Sequence, residues 1–489
     1  MTETVASLRG LDTFGEVSAE DDAVLSYFLT TDAVARIGSH SVLLVLGRKG
    51  SGKTALVRHF VEGGGPTTSR AITLRGYPWT VHAQRIDRGA SEIEAYVASW
   101  RYLVAVELAS LVLSRADGYS SAQEKSLRHF FKDNYGGPDP ALGDVLRPAR
   151  LHLSELSFEP AVLGNKLGGI SLDRDDLGLG RELEALTEAI LRAAEDVAMA
   201  LKLPSLILHF DELDQGLLAM DPARERMLVG LVLAVRGIRH EFRDSPVPIS
   251  PVVYLRTDLW DELNFSDKNK ITQSMTLGLE WDSNALRGLV NERLRVKLGE
   301  GVTWESIAEP ALMRGSQAKW DHVLARTFLR PRDVIQFLNS ALGQAKSRGD
   351  QRLLFVNEDI VNARDRYSAY LKKELDDEIM PHWDHWDEAL QACSAISTIT
   401  LSRDQFIKEY GRQRSEPNAV SPEEALQVLY QFSVLGYERR SGYGGTSWVF
   451  QYASPEAGWD SAASRLKVHL GLKEYAKLRE ERARDASAD

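Results

Sequence analysis

The sequence predicts an α/β fold: a parallel sheet covered by helices, with a helical insertion and a helical lid, followed by a smaller winged-helix-like C-terminal domain. Three observations carry the core of that prediction. The apolar run SVLLVL at residues 41–46 leads into a glycine-rich stretch, GRKGSGKT, and then into the helix-like ALVRHF. A second apolar run, residues 206–210, ends in the acid pair Asp211 and Glu212. Beyond them, strand-like runs alternate with helical stripes, the pattern of a sheet whose parallel strands are joined by crossovers.

The glycine-rich stretch begins at the end of the first strand. Gly47, Gly50 and Gly52 let the backbone curl, so that N–H groups of the loop, including those of Arg48, Lys49 and Ser51, face a phosphate. Lys53 is placed to reach the β and γ oxygens and Thr54 to offer its hydroxyl to Mg²⁺, while the N-terminus of the following helix adds a positive field. A bound nucleoside triphosphate is the expectation. The acid pair supplies the second half of such a site. Asp211 is expected to hold the magnesium water shell and Glu212 to polarise the water that attacks. Asp214 reads as the cap of the next helix, and His209, inside an apolar strand, as a packed structural residue.

The remaining elements follow in order. Residues 71–74 form a weak second strand, and residues 90–203 are far longer than one crossover needs. Apolar stripes at 95–113 and 183–201, separated by a middle rich in Gly, Pro and Asp, make this stretch a helical insertion. Residues 223–242 carry a helical stripe, and PISPVVYLRTD forms another strand that ends at Arg256. Ligands sit beyond the carboxyl ends of parallel strands, so Arg256 is a candidate γ-phosphate sensor; pairing with a neighbouring acid is the competing reading. Residues 275–281 complete five strands.

With these pieces in place, the chain resembles the additional-strand P-loop ATPases, the group that includes AAA+ and STAND proteins, and within it a group of bacterial P-loop ATPases. The residues concerned are LGRKGSGKTAL, YPWTVH, LILHFDELD, VVYLRTDLWDELNFSDKNK and FLRPRDVIQFLN, spread over about residues 12–345. The resemblance implies an ATP-hydrolysing hydrolase using Mg²⁺. It implies a lid arginine that reaches the nucleotide, Arg332 first and Arg330 second, with pairing to Asp333 as the plain alternative. It also implies self-assembly, in which Arg287, Arg293 or Arg295 could complete a neighbouring site. The chain shows no guanine-reading NKxD and no LSGGQ-type signature, which favours ATP over GTP and argues against an ABC ATPase. Residues 19–34 are read as an amphipathic helix or part of an adenine wall.

Composition narrows the class. Hydrophobic content of 43%, charge of 26% and a net charge of −11 describe an ordinary folded protein that does not coat nucleic acid non-specifically. No run approaches the roughly 20 apolar residues of a membrane span, and the N-terminus lacks a signal-peptide pattern, so a cytoplasmic location and no membrane partner are expected. The single cysteine, Cys393, excludes an internal disulfide and reads as a buried hydrophobe.

The expected division is a core at 1–281, a lid at 282–345, a linker helix at 346–380, a winged-helix-like domain at 381–475 and a charged tail at 476–489. Helices are expected at 386–396, 402–410 and from Ser421, then a hairpin around GYGG, then a helix over 467–489. The helix that would enter a DNA groove carries Glu423 and Glu424 and no cation, although Lys408, Arg412, Arg414, Arg439 and Arg440 form a basic edge. From Asp384 to Tyr475 acidic residues outnumber basic ones by three. A protein or homo-oligomeric partner is therefore favoured over DNA. The first reading is an ATP-driven switch or motor. An origin-recognition or loader-type ATPase on DNA, and a nucleotide-gated scaffold in bacterial signalling or phage defence, are the alternatives.

Overall fold

The computed structural model describes residues 7–74, 92–146, 179–213, 221–349, 353–415, 420–440 and 445–480. YPWTVH, the centre of the insertion, Asp214, the hairpin turn at 441–444 and the last nine residues lie outside the described residues. The chain divides into two compact units, one built on a parallel sheet and the other helical.

The sheet unit comprises residues 30–48 and 53–279. Its elements begin with α1 (Asp32–Gly38), β1 (Leu44–Leu46), α2 (Lys53–Glu62) and β2 (Thr68–Thr73). The insertion supplies α3 (Glu92–Leu113), α4 (Ala122–Tyr135), α5 (Leu142–Leu146) and α6 (Leu179–Ala200). Then come β3 (Leu206–Asp211), α7 (Pro222–Glu241), β4 (Val252–Leu255), α8 (Thr257–Glu262), α9 (Lys268–Met275) and β5 (Thr276–Gly278). The strands pair in parallel in the order β2-β3-β4-β1-β5. β1, β3 and β4 are buried along their whole length, which is why they read as continuous apolar runs rather than alternating ones.

Helix α3 corrects one expectation. Residues Ile93–Leu113 are long and apolar enough to span a membrane, but most of that surface is buried inside the protein. α3 packs against α6 and α7. At its crossing with α7, a Cβ on Gly230 would stand 2.6 Å from the Tyr96 Cβ, so only glycine admits this approach. The Trp100 indole N–H donates to the Met227 carbonyl at 2.9 Å. The apolar stripe is therefore core, and the insertion is an extension of the sheet unit's own hydrophobic cluster.

The helical unit comprises residues 7–29, Lys49–Gly52 and 280–480. It contains α10 (Ser283–Leu298), α11 (Trp304–Ile307), α12 (Lys319–Leu324), α13 (Pro331–Arg348) and α14 (Asn357–Ile379). Residues 7–29 join these helices through Leu8, Leu11 and Phe14. The expected helix over 19–34 is instead a 3-10 turn at Val24–Tyr27 followed by α1. Asp22, which would have lain on that helix, turns inward: it accepts hydrogen bonds from Glu16 N–H at 3.0 Å and from the Tyr27 hydroxyl, and pairs with Arg293 at 3.0 Å.

The unit ends in α15 (Trp386–Ile396), β6 (Thr400–Ser402), α16 (Arg403–Gln413), α17 (Pro422–Gln431), β7 (Leu435–Arg440), β8 (Thr446–Val449) and β9 (Arg465–Val468). The antiparallel sheet runs β6-β9-β7-β8. Capping boxes set two helix starts: Ser402 with Gln405, and Ser421 with Glu424. Cys393 is fully buried, which pushes its thiol up to about 12. The expected helix over 467–489 is not formed in the described part. Leu466 and Val468, two apart, face the core of a strand, and Leu472, Ala476 and Leu478 are buried after it. Helix propensity in that charged stretch is overridden by the period-two pair at its start.

Candidate functional site

The glycine-rich loop hangs between β1 and the first residue of α2. Gly47 N–H donates to the Leu255 carbonyl at 3.3 Å, which ties the loop's entry to the end of β4. Gly50 and Gly52 sit at φ +80° and +101°, where a side chain is strained. A Cβ on Gly50 would also stand 2.8 Å from the Arg332 Cβ, so this glycine answers to two constraints. Arg332 N–H donates to the Gly50 carbonyl at 3.4 Å, and the Trp281 indole N–H donates to the Ser51 carbonyl at 2.9 Å. Lys53 opens α2, and its ammonium donates to the carbonyls of Gly47 at 2.8 Å and Arg48 at 3.3 Å. Thr54 follows in the first turn of α2.

The acids stand at the end of the neighbouring strand but one. Asp211 is the last residue of β3, opposite Thr73, and Glu212 leaves the strand at φ +59°, an unusual conformation for a residue with a side chain. Both are buried. β4 lies between β1 and β3, so the glycine-rich loop, Arg256 and the acid pair follow the carboxyl ends of three adjacent parallel strands. Tyr254 on β4 has its hydroxyl pKa raised, first by burial and then by the Asp211 charge. That hydroxyl lies 2.9 Å from His209 Nδ1, and burial holds His209 down to about 3, so the ring is neutral and structural as expected.

The arginines divide. Arg256 makes a two-point contact with Asp258, Nε to Oδ1 at 3.1 Å and Nη2 to Oδ2 at 2.6 Å. Arg330 is buried and locked to Asp333 at 2.9 Å and to Glu378 at 2.5 Å. Those carboxylates hold its pKa above the usual arginine range against the opposing effect of burial. It therefore takes the plain reading of pairing with Asp333. Arg332, two residues on, does not pair with Asp333; its guanidinium donates to the Val17 carbonyl at 3.0 Å and to Glu374 at 3.2 Å. Arg293 is buried between Asp22 and the Phe14 carbonyl, which withdraws it from the surface arginines. Arg287 pairs with Glu305, and Arg295 with Glu292 and Glu300.

Sequence reasoning missed one contact of the loop. Lys49 lies 2.6 Å from Asp377 and 3.5 Å from Glu374, both on α14. The signal was present: the last turn of α14 carries Asp376, Asp377 and Glu378 and no basic residue, against the preference of a helix C-terminus for cations.

The residues present fit a magnesium-bound triphosphate. Glycines at left-handed φ and a lysine that opens a helix are the residue types and conformations that a phosphate-binding loop uses, and Gly50, Gly52 and Lys53 supply them. Buried Ser51 keeps its hydroxyl oxygen without a partner among the described residues. No group of three or more His, Cys, Asp or Glu stands ready to hold a metal among them. One carboxylate and one hydroxyl are what Mg²⁺ needs when phosphate oxygens and water complete its shell.

Comparison with known proteins adds a partial family match and distant structural likeness. The model of the FunZ-associated C-terminal helical domain matches residues 284–376, from the start of α10 to near the end of α14. No curated protein matches the chain. A Walker-type ATPase of Pyrococcus abyssi is 12% identical, covers 88% of this chain and 95% of its own, and superposes with a TM-score of 0.40. The Aeropyrum pernix ORC1 protein, solved in complex with DNA, is 12% identical over 91% of this chain and 90% of its own, with a TM-score of 0.35. The ORC2 protein of the same organism, solved with ADPNP and ADP, is 13% identical over 86% and 87%, with a TM-score of 0.37.

Proposed function

We propose that the chain binds ATP with Mg²⁺ on residues 47–54 and hydrolyses it to drive a conformational change. The observation that carries this reading is the strand order, which sets the glycine-rich loop, Arg256 and the Asp211–Glu212 pair at the ends of neighbouring parallel strands. The loop N–H groups and Lys53 bind and orient the phosphates, and Thr54 and Asp211 hold the metal side. The nucleotide supplies the phosphoanhydride bond and its magnesium the charge neutralisation. Glu212, next to the metal carboxylate, accepts the proton of the attacking water. Arg256 senses the terminal phosphate on leaving Asp258, and Arg332 senses the nucleotide from the lid.

In this reading residues 282–345 are the lid, 346–380 the linker helix, and 381–475 a winged-helix-like output domain. The acidic α17 favours a protein partner or a second copy of the chain over DNA, because a groove-reading helix needs cations to approach phosphates. The pairing of Arg256 and Arg332 with carboxylates favours slow turnover, and so keeps a nucleotide-gated scaffold as the second reading. Phosphate release measured beside nucleotide binding tests the roles. Glu212→Gln is expected to keep Mg·ATP affinity and lose roughly 10²–10⁴-fold in turnover, while Lys53→Ala loses binding. Equal loss of binding in both variants would refute the division of labour.

A further inference from the structure

The last turn of α14 carries three consecutive acids where helix electrostatics disfavours them, and each has a cationic or N–H partner on a different element. Glu378 holds Arg330, at the start of α13. Asp376 accepts from Lys372 at 2.7 Å and from the Trp386 indole N–H at 3.0 Å, at the start of α15. Asp377, with Glu374 one turn earlier, holds Lys49 of the glycine-rich loop. The same Glu374 oxygen, Oε2, lies 3.2 Å from Arg332 Nη1 and 3.5 Å from Lys49 Nζ, so one carboxylate is shared between a loop lysine and the lid arginine. Arg332 also bonds the loop directly through its backbone N–H on Gly50.

We infer that Glu374 and Asp377 are an internal competitor for phosphate: they hold Lys49 and Arg332, and a triphosphate on the loop draws both cations away and frees the end of α14. The inference rests on the ATP reading above and names the regulation of that same site. The charges support it. Glu374 and Arg332 keep side-chain exposures of only 16% and 21%, so their pairing is weakly screened and is felt when a polyanion arrives. The geometry also supplies the output. Asp376 sits between Asp377 and Glu378 in sequence but points to Trp386, so a displacement of this turn is passed to the first helix of the C-terminal domain. A purely stabilising role would place basic residues in that turn, and α14 has none there.

The test uses the full chain, Mg·ATP titrated by calorimetry, and hydrogen exchange over residues 376–396. Glu374→Gln combined with Asp377→Asn is expected to bind Mg·ATP about tenfold more tightly than wild type. Asp377→Asn alone, at a position with 66% of its side chain exposed and therefore safe for the fold, is expected to gain about threefold. Wild type should show faster exchange over 376–396 on adding Mg·ATP, and the double variant should exchange fast from the outset. Unchanged or weaker affinity in both variants overturns the proposal, as does a wild-type exchange pattern in the double variant. Should wild type show no binding that Lys53→Ala removes, the ATP reading fails and the competitor with it. Should wild type bind while neither variant tightens, the competitor alone fails.

Discussion

At Glu212 the backbone adopts φ +59°, which costs a residue with a Cβ about 1–2 kcal/mol. Strain of this kind persists where the surrounding structure holds it, and it turns the side chain of the residue after Asp211 in a direction that regular β geometry does not offer. Replacing Glu212 by glycine is therefore expected to raise stability by about 1 kcal/mol in urea unfolding while turnover disappears. Gly50 behaves oppositely. Gly50→Ala meets a left-handed φ and the Arg332 Cβ at once, so a loss of more than about 1 kcal/mol is expected, together with weaker Mg·ATP binding. The placement of Lys53 and Thr54 at the start of α2 was legible in the sequence, because it follows from spacing along the chain. The partners of Lys49 were not, since Glu374 and Asp377 are more than 300 residues away and only the fold brings them near.

Among the elements, α13 is the one whose start is most heavily determined. Pro331 occupies its first turn, and the buried Arg330 before it answers two carboxylates. Arg330→Met leaves Asp333 and Glu378 without their cation and is expected to cost roughly 3–5 kcal/mol in chemical denaturation. β3 offers a pH test. His209 is neutral in the folded protein down to about pH 3, whereas in the unfolded chain it titrates near its ordinary value. Between those values the unfolded state binds more protons, so stability falls as pH drops below about 6.5, by up to about 1.4 kcal/mol per pH unit from this group. His209→Gln should flatten that slope in unfolding curves taken from pH 7 to 4. The helix after Ser421 was legible because its cap and its period agree, and the helix at 386–396 from its apolar period alone. The turn at Val24–Tyr27 and strand β9 were not. Their placement depends on Asp22 meeting Arg293 and on β9 pairing with β6 and β7, which are contacts between distant segments.

For the whole molecule, a net charge of −11 and an acidic α17 set the expectation for partners. Arg439 and Arg440 are exposed at the end of β7, yet a pair of arginines neutralises few phosphates. Duplex DNA affinity at physiological salt is expected to be no better than about 10⁻⁵ M, read by fluorescence anisotropy; tight, salt-sensitive binding abolished by Arg439→Ala with Arg440→Ala would revive the DNA reading. The parallel sheet and its two acid and glycine-rich ends were legible from apolar runs, whereas the grouping of residues 7–29 with helices α10 to α14 was hidden, because those residues carry no periodic pattern of their own. Direct titration of the purified chain tests whether residues 47–54 hold Mg·ATP. One nucleotide bound per chain in wild type, dependent on Mg²⁺ and lost in Lys53→Ala, is the expected result. Absence of nucleotide binding in wild type, or binding that survives Lys53→Ala undiminished, would contradict it.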